Sequence, residues 1–314
     1  MLQIKTNIKT KKRKKLLKED GALFIMALPA VVYLLIFSYL PMVGLVMAFQ
    51  DLNIAEGVLS SPFVGFRNFG FLFSTTDAWV ITRNTVVYNL VFIIINLAIS
   101  ITLSLMLSSL RSGKFAKVTQ TIYMMPYFLS YAVVAIVVNA FLHRDNGVVN
   151  AFLKLMGQPG KTNWYHQLNL WPPLLVSVNA WKGCGYQTVL YLAVISGISS
   201  DYYEAAVLDG ATKFQQARYI TIPHLRFIIG VSLILSMGSI FRGDFGLFFN
   251  VTMDTGRLYP VTDVIDTYIY RALTYLNNVG MSTAAGLYQS VVGFILVLIS
   301  NKIVNQIDPE SAMF

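Results

Sequence analysis

The sequence predicts an all-α integral membrane protein: six transmembrane helices with a cytoplasmic helix-turn-helix between helices 4 and 5. Three observations carry that expectation. Of the 314 residues 55% are hydrophobic and only 12% charged, with a mean hydropathy of +0.60, a balance outside that of water-soluble domains. The apolar residues gather in long runs, as a hydrocarbon core ~30 Å thick demands of a spanning helix. Fifteen of the 24 lysines and arginines fall in the termini and short loops that six crossings place on one side, the asymmetry of the positive-inside rule.

Residues 1–20 form a basic cytoplasmic tail holding eight of those basic residues, Lys11-Lys12-Arg13-Lys14-Lys15 among them. The net charge of +9 would suit nucleic acid, but a basic run beside an apolar span fits anionic membrane lipid, and no nucleic-acid partner is assigned. Gly21 to Gln50 carries no charge. It is too long for a signal-peptide core and has no Ala-x-Ala cleavage site, so it reads as an uncleaved first span with kinks at Pro29 and Pro41. Residues 51–82 are turn-rich and external around Ser61-Pro62-Phe63-Val64-Gly65.

The second span runs from Asn84 to Leu110, and Arg111, Lys114 and Lys117 mark a short cytoplasmic loop after it. The third, Val118 to Leu142, is interrupted only by Pro126, and an external loop extends from His143 to Asn169. Trp171 to Ser199 is the fourth span and Leu225 to about Val251 the fifth, the latter holding Arg242 and Asp244 in its outer half. Residues 252–279 are external, with an amphipathic portion, Asp263 to Leu276, along the surface. Gly280 to Val304 is the sixth span, and residues 305–314 form a cytoplasmic tail. One six-helix domain thus covers 21–304, with no internal repeat.

Between the fourth and fifth spans lies a polar stretch, residues 200–223. Asp201 and Glu204 have the spacing of a capping box, which starts a short helix near Tyr202. Gly210 can take the left-handed conformation that ends it, and Thr212 can cap a second helix running to about Tyr219. Pro223 stops that helix or opens the next.

Within this stretch Glu204-Ala205-Ala206, Asp209-Gly210-Ala211 and Ile220-Thr221-Ile222-Pro223 stand in the order and spacing of the EAA loop of binding-protein-dependent ABC importers. The surrounding chain resembles sugar-importer permeases of the maltose type, in their oligosaccharide and polysaccharide branch. It departs from their pattern at Ala217, where an aromatic is usual, and at Arg226-Phe227, in place of a second proline. The resemblance implies that the loop docks as a coupling helix on a cytoplasmic ATPase dimer. Glu204 would be its charged anchor, Gly210 its tight turn, and Ala205 and Ala206 the small surfaces that permit close approach. It further implies a second homologous permease, an extracytoplasmic solute-binding protein, and a bacterial cytoplasmic (inner or plasma) membrane location with both termini inside. ATP and Mg would bind the partner ATPase, so this chain would be no enzyme and would hold no cofactor.

Ionisable and amide side chains in spans call for a reason. On one reading Asn179, Lys182, Tyr186 and Gln187 share a helix face and line a path for a hydroxyl-rich solute; on the other, Lys182 reaches the outer headgroups or pairs with an acid on another helix. Arg242 and Asp244, two residues apart, do not face each other on a helix, so each needs a partner elsewhere or water. Asn89, Asn96, Asn139 and Gln289 are read as interhelical hydrogen-bonding groups. Gly157 to Thr162 only glances like a P-loop, because Leu155 stands where its first glycine belongs. Three scattered histidines argue for no metal site, and the single cysteine forms no internal disulfide.

Two rivals belong to other classes. A secondary transporter would want membrane carboxylates and internal repeats, and a non-transporting scaffold would leave growth on a carbon source untouched. An ABC permease for a non-sugar solute would carry the same loop.

Overall fold

A computed structural model describes residues 21, 23–53, 57–58, 60–70, 75–110 and 113–307. The expected basic tail, Arg111 and residues 308–314 lie outside them. Among the described residues there is no β-strand, only an isolated antiparallel bridge between Gln50 and Phe63. The chain forms two compact units, one ending at Asn68 and the other beginning at Phe69.

The first unit is built on α1 (Leu23–Phe49). Its apolar side chains, Phe24, Ile25, Met26 and Phe37 among them, are exposed, the surface of a helix that meets lipid. Pro29 leaves the α pattern uninterrupted. Around Pro41 the pattern changes, to a π segment over Leu35–Tyr39 and a 3-10 segment over Leu40–Phe49. Proline has no N–H for the carbonyl four residues back, and the altered repeats reroute the ladder. The chain then closes on itself. The Gln50 amide donates to the carbonyls of Val58 (3.0 Å) and Ser61 (3.4 Å), and Asn68 donates to those of Gln50 (2.8 Å) and Ala48 (3.1 Å).

The second unit contains α2 (Thr76–Ser108), α3 (Gly113–Met124), α4 (Tyr131–Leu142), α5 (Val148–Leu155), α6 (Trp171–Ser196) and α7 (Ser200–Leu208). They are followed by α8 (Lys213–Gly238), α9 (Ile265–Thr274) and α10 (Val279–Ile307). By length and apolarity α1, α2, α8 and α10 can each cross a membrane, and α3 with α4 makes a fifth crossing if the bent pair counts as one. α6 is 26 residues long but less apolar, because Asn179, Lys182 and Gln187 lie on it. It packs along the length of α2.

Small and polar residues set that packing. Gly185 touches the backbone of α3 so closely that a Cβ would come within 2.0 Å of the Tyr123 carbonyl oxygen. Asn96 on α2 donates to Asn179 Oδ1 at 2.8 Å, and Ser100 donates to the Cys184 carbonyl at 3.1 Å. Between membrane helices, close backbone approach and such hydrogen bonds do the work that apolar burial does in water. A buried cluster of Tyr88, Phe92, Trp171, Leu175, Phe248 and Val251 fills the rest.

Several boundaries differ from expectation. α2 begins at Thr76, eight residues before Asn84. The third span is no single helix: α3 passes into a 3-10 turn at Met125–Phe128, and α4 leaves at 96°. Pro126 deprives the ladder of a donor there, and Ser130 caps the new helix by accepting from the Val133 N–H at 3.3 Å. The fifth span ends at Gly238, not Val251. Residues 239–244 are non-helical, and a π segment, Gly246–Val251, follows. Arg242 and Asp244 therefore lie in a break. At the other end, α10 continues through Ile307, into what was expected as a tail.

Residues 252–278 fold around Arg271. Its guanidinium donates to Asp254 (2.8 Å), pairs with Asp263, and stacks on the Tyr259 ring with 4.0 Å to the centroid. Burial pushes the Asp263 carboxyl above its ordinary value, and Arg271 opposes that shift.

Candidate functional site

Two places gather the candidate residues. The first is the hairpin of α7 and the start of α8. The expected Asp201–Glu204 capping box does not form. Ser199, two residues earlier than Asp201, accepts the Asp201 N–H at 3.3 Å, so the helix begins at Ser200 and Asp201 sits in its first turn. Both residues are good caps in adjacent turns of sequence, and the chain uses the earlier one. α7 ends as the sequence predicts. Gly210 has φ +79°, the Ala211 N–H reaches the Ala206 carbonyl (2.8 Å), and the Gly210 N–H reaches that of Val207 (3.0 Å), which is a Schellman closure.

Thr212 then forms a true capping box with Gln215: the Gln215 N–H donates to Thr212 Oγ1 (3.3 Å) and the Thr212 N–H to Gln215 Oε1 (2.7 Å). Pro223 neither stops this helix nor opens a separate one. A π segment at Ala217–Thr221 carries the ladder past it, with the Ile222 N–H bonding the Ala217 carbonyl, and the helix runs on to Gly238.

Tyr203 ties the hairpin to itself through a 3.0 Å contact with Thr221 Oγ1. Glu204, Ala205, Asp209, Gly210 and Pro223 are exposed, while Ala206 and Ala211 are half-buried. Around them stand exposed apolar side chains, Tyr202, Val207, Phe214, Tyr219 and above all Leu208, which is 88% exposed.

The second place is a cleft of about 240 Å³ between α2, α6, α8 and the break at 239–244. Its wall carries the amides of Asn89, Asn96, Asn179 and Gln187, the hydroxyls of Ser232 and Ser236, and the charged groups Arg242 and Asp244. The break supplies backbone as well. Asn89 donates to the carbonyls of Ile240 (2.9 Å) and Arg242 (3.0 Å), and Gln289 on α10 donates to that of Phe241 (2.6 Å) and to Asp266 (2.9 Å). Asp266 also accepts the Gly243 N–H. Irregular backbone at membrane depth persists only where it is so satisfied or faces a cavity. Asp244 is engaged too, accepting from the Tyr131 hydroxyl and from the Leu247 N–H at 3.2 Å. The Tyr131 ring lies where a Cβ on Gly246 would come within 2.5 Å of it.

Of the four residues expected to share one face, Asn179 and Gln187 line the cleft, whereas Lys182 and Tyr186 lie beside it against the bend between α3 and α4. Lys182 Nζ donates to the Tyr127 carbonyl at 2.8 Å and sits 4.9 Å from the Tyr131 ring centroid, while Tyr186 stacks on Tyr127 at 5.0 Å. The carbonyl is one that the bend leaves free of the helix ladder. Sequence reasoning missed Ser232, Ser236 and the backbone of the break. The signal was Arg242-Gly243-Asp244, two charges and a glycine inside an otherwise apolar run.

Residues 100–308 match the family described as binding-protein-dependent transport system inner membrane component. The chain is 33% identical to the polygalacturonan/rhamnogalacturonan transport system permease protein YteP of Bacillus subtilis (strain 168), over 96% of this chain and 94% of that one. It is also 33% identical to the protein LplB of the same organism, over 94% and 92% of the two chains. Its fold superposes with a TM-score of 0.85 on a chain of a bacterial ABC transporter involved in the import of the acidic polysaccharide alginate, at 32% identity and covering 95% of this chain and 99% of that one. A match that spans more than half the sequence, with relatives and a solved structure aligned nearly end to end, settles membership: the chain belongs to the inner-membrane permease components of binding-protein-dependent ABC transport systems.

Proposed function

We propose that this permease conducts carbohydrate, as an oligosaccharide, and that its 200–223 hairpin transmits closure of a partner ATPase dimer to the helices around the cleft. The observation that carries the reading is the cleft itself. Four amides, several hydroxyls and freed backbone face one cavity, and such groups match the hydroxyls of a sugar in a site otherwise walled by apolar helices. Asn179 and Gln187 would contact solute directly. Lys182 and Tyr186 would act one step back, holding the α3–α4 bend against the cleft.

Relatives that import polygalacturonan/rhamnogalacturonan and alginate support the solute class. The alginate transporter is also solved in complex with a pentasaccharide-bound periplasmic protein, which supports an extracytoplasmic binding protein as partner here. A second homologous permease completes the pathway, and ATP with Mg is assigned to the ATPase. Family membership speaks against an ion-gradient transporter working alone.

Exposed Glu204 set among exposed apolar side chains supports the hairpin as the docking surface, with Ala205, Ala206 and Ala211 admitting close contact, Asp209 and Gly210 turning the chain, and Pro223 marking the passage into α8. Six crossings with both termini inside agree with the distribution of basic residues if α6 is the fourth. Its 26 residues reach about 39 Å at ~1.5 Å each, enough for the core.

The test is uptake by the reconstituted complex. ATP-dependent accumulation of a labelled oligosaccharide in liposomes, abolished by Glu204→Lys together with ATPase association while the unfolding midpoint is kept, is the expected result. Uptake by this chain alone without ATP, or ATP-driven uptake of a non-sugar solute only, would overturn it.

A further inference from the structure

We infer that the cleft reads a carboxylate on its solute, through Arg242, so that the substrate is an acidic oligosaccharide rather than a neutral one. This rests on the carbohydrate reading above and narrows it.

The cleft wall contains one cation and one anion, Arg242 and Asp244, and their situations differ. The Asp244 carboxylate is occupied by the Tyr131 hydroxyl and the Leu247 N–H. Asp266, the other acid near the break, accepts the Gly243 N–H and the Gln289 amide. Both acids thus have donors of their own. Arg242 is held by its backbone, whose carbonyl takes the Asn89 amide at 3.0 Å. Among the described residues its guanidinium enters no ion pair and no hydrogen bond, and the residue is exposed to the cleft.

Arg271 shows what the alternative looks like, closed off by two carboxylates and a ring. A planar guanidinium with five donors, on a clamped backbone and in no direct ion pair, although its charge is felt at the Asp266 carboxyl, matches one ligand group above others: a carboxylate, taken bidentately. The amides and hydroxyls beside it would serve the sugar hydroxyls. A neutral sugar would use the amides and leave the cation idle.

The experiment is equilibrium binding to the purified permease–ATPase complex without its solute-binding protein, so that only the membrane site selects. Two labelled probes are compared, a trisaccharide of galacturonate and the same trisaccharide with its carboxyls reduced to alcohols. The expected result is tighter binding of the uronate, weakened by salt. Arg242→Gln should raise its Kd at least tenfold and flatten the salt dependence, Arg242→Lys should recover part of the affinity, and the reduced probe should bind wild type and Arg242→Gln alike. Equal binding of the uronate by wild type and Arg242→Gln, or equal loss of both probes in the variant, would overturn the assignment of Arg242. A wild type that prefers the reduced probe would overturn the acidic substrate while sparing the carbohydrate reading, and one that binds neither would overturn both.

Discussion

Gln289 is the side chain on which the break after α8 most depends, and replacing it by leucine tests that dependence. The substitution keeps the volume and removes two donations, to the Phe241 carbonyl at 2.6 Å and to Asp266 at 2.9 Å. Phe241 is only 8% exposed, so its carbonyl has no ready water, and an unsatisfied buried acceptor costs about 1–3 kcal/mol. Asp266 keeps the Gly243 N–H and loses one charge-assisted bond, worth about 1.5–3 kcal/mol. Both losses act through one side chain and do not simply add, which puts the expected destabilisation at about 2–4 kcal/mol.

Gln289→Glu sharpens the test by turning a donor into an acceptor beside Asp266. Burial already raises the Asp266 carboxyl above its ordinary value. A carboxyl raised in the folded state adds stability that is complete below the unfolded value, ~3.9, and is lost as pH rises through the folded one. Gln289→Glu should therefore be worse than Gln289→Leu at pH 8 and recover toward pH 5. Unfolding in detergent, followed by denaturant at the two pH values, reads both effects. A Gln289→Leu protein within about 0.5 kcal/mol of wild type, or a Gln289→Glu protein indifferent to pH, would refute the claim that this amide holds the break.

Two other substitutions probe the frame. Gly185→Ala must push α6 away from α3, because its Cβ would meet the Tyr123 carbonyl oxygen at 2.0 Å and the Met124 Cα at 3.0 Å; a loss of about 1–3 kcal/mol in unfolding free energy is expected, and an unchanged midpoint would mean that the two helices are not packed this closely. Arg271→Met strands two nearly buried carboxylates, Asp254 and Asp263, with side-chain exposures of 15% and 9%, so about 3–5 kcal/mol should be lost; a variant as stable as wild type at neutral pH would show the pair to be solvated.

Where structure is decided by neighbours in sequence, the chain was legible. The end of α7 follows from Gly210 and the start of α8 from Thr212 and Gln215, each a contact within five residues. The start of α7 was misplaced because Ser199 and Asp201 both satisfy the local rule, and the sequence contains nothing that ranks them. Helix interruptions were harder. Pro126 announced one and the bend is there, yet its 96° angle depends on packing. The break after Gly238 has no proline at all. It is held by Asn89, 151 residues away from Ile240, and by Gln289 and Asp266, none of which local propensity can pair with it.

The charges that looked out of place in apolar spans and the interruptions of those spans turn out to be the same fact. Lys182 donates to a carbonyl released by the α3–α4 bend, and Arg242 and Asp244 lie inside the α8 break. An intact helix in lipid satisfies its own backbone and has nothing to offer a cation or a carboxylate, whereas a broken one exposes carbonyls and N–H groups that need partners and can supply them. Tyr131 joins the two sites directly, its ring under Lys182 and its hydroxyl on Asp244. A rearrangement of the bend is thereby felt at the break, and the break borders the cleft. In a chain this apolar, the place where helices stop is also the place where a water-loving solute can be met by groups other than hydrocarbon, and a charge in a span marks it.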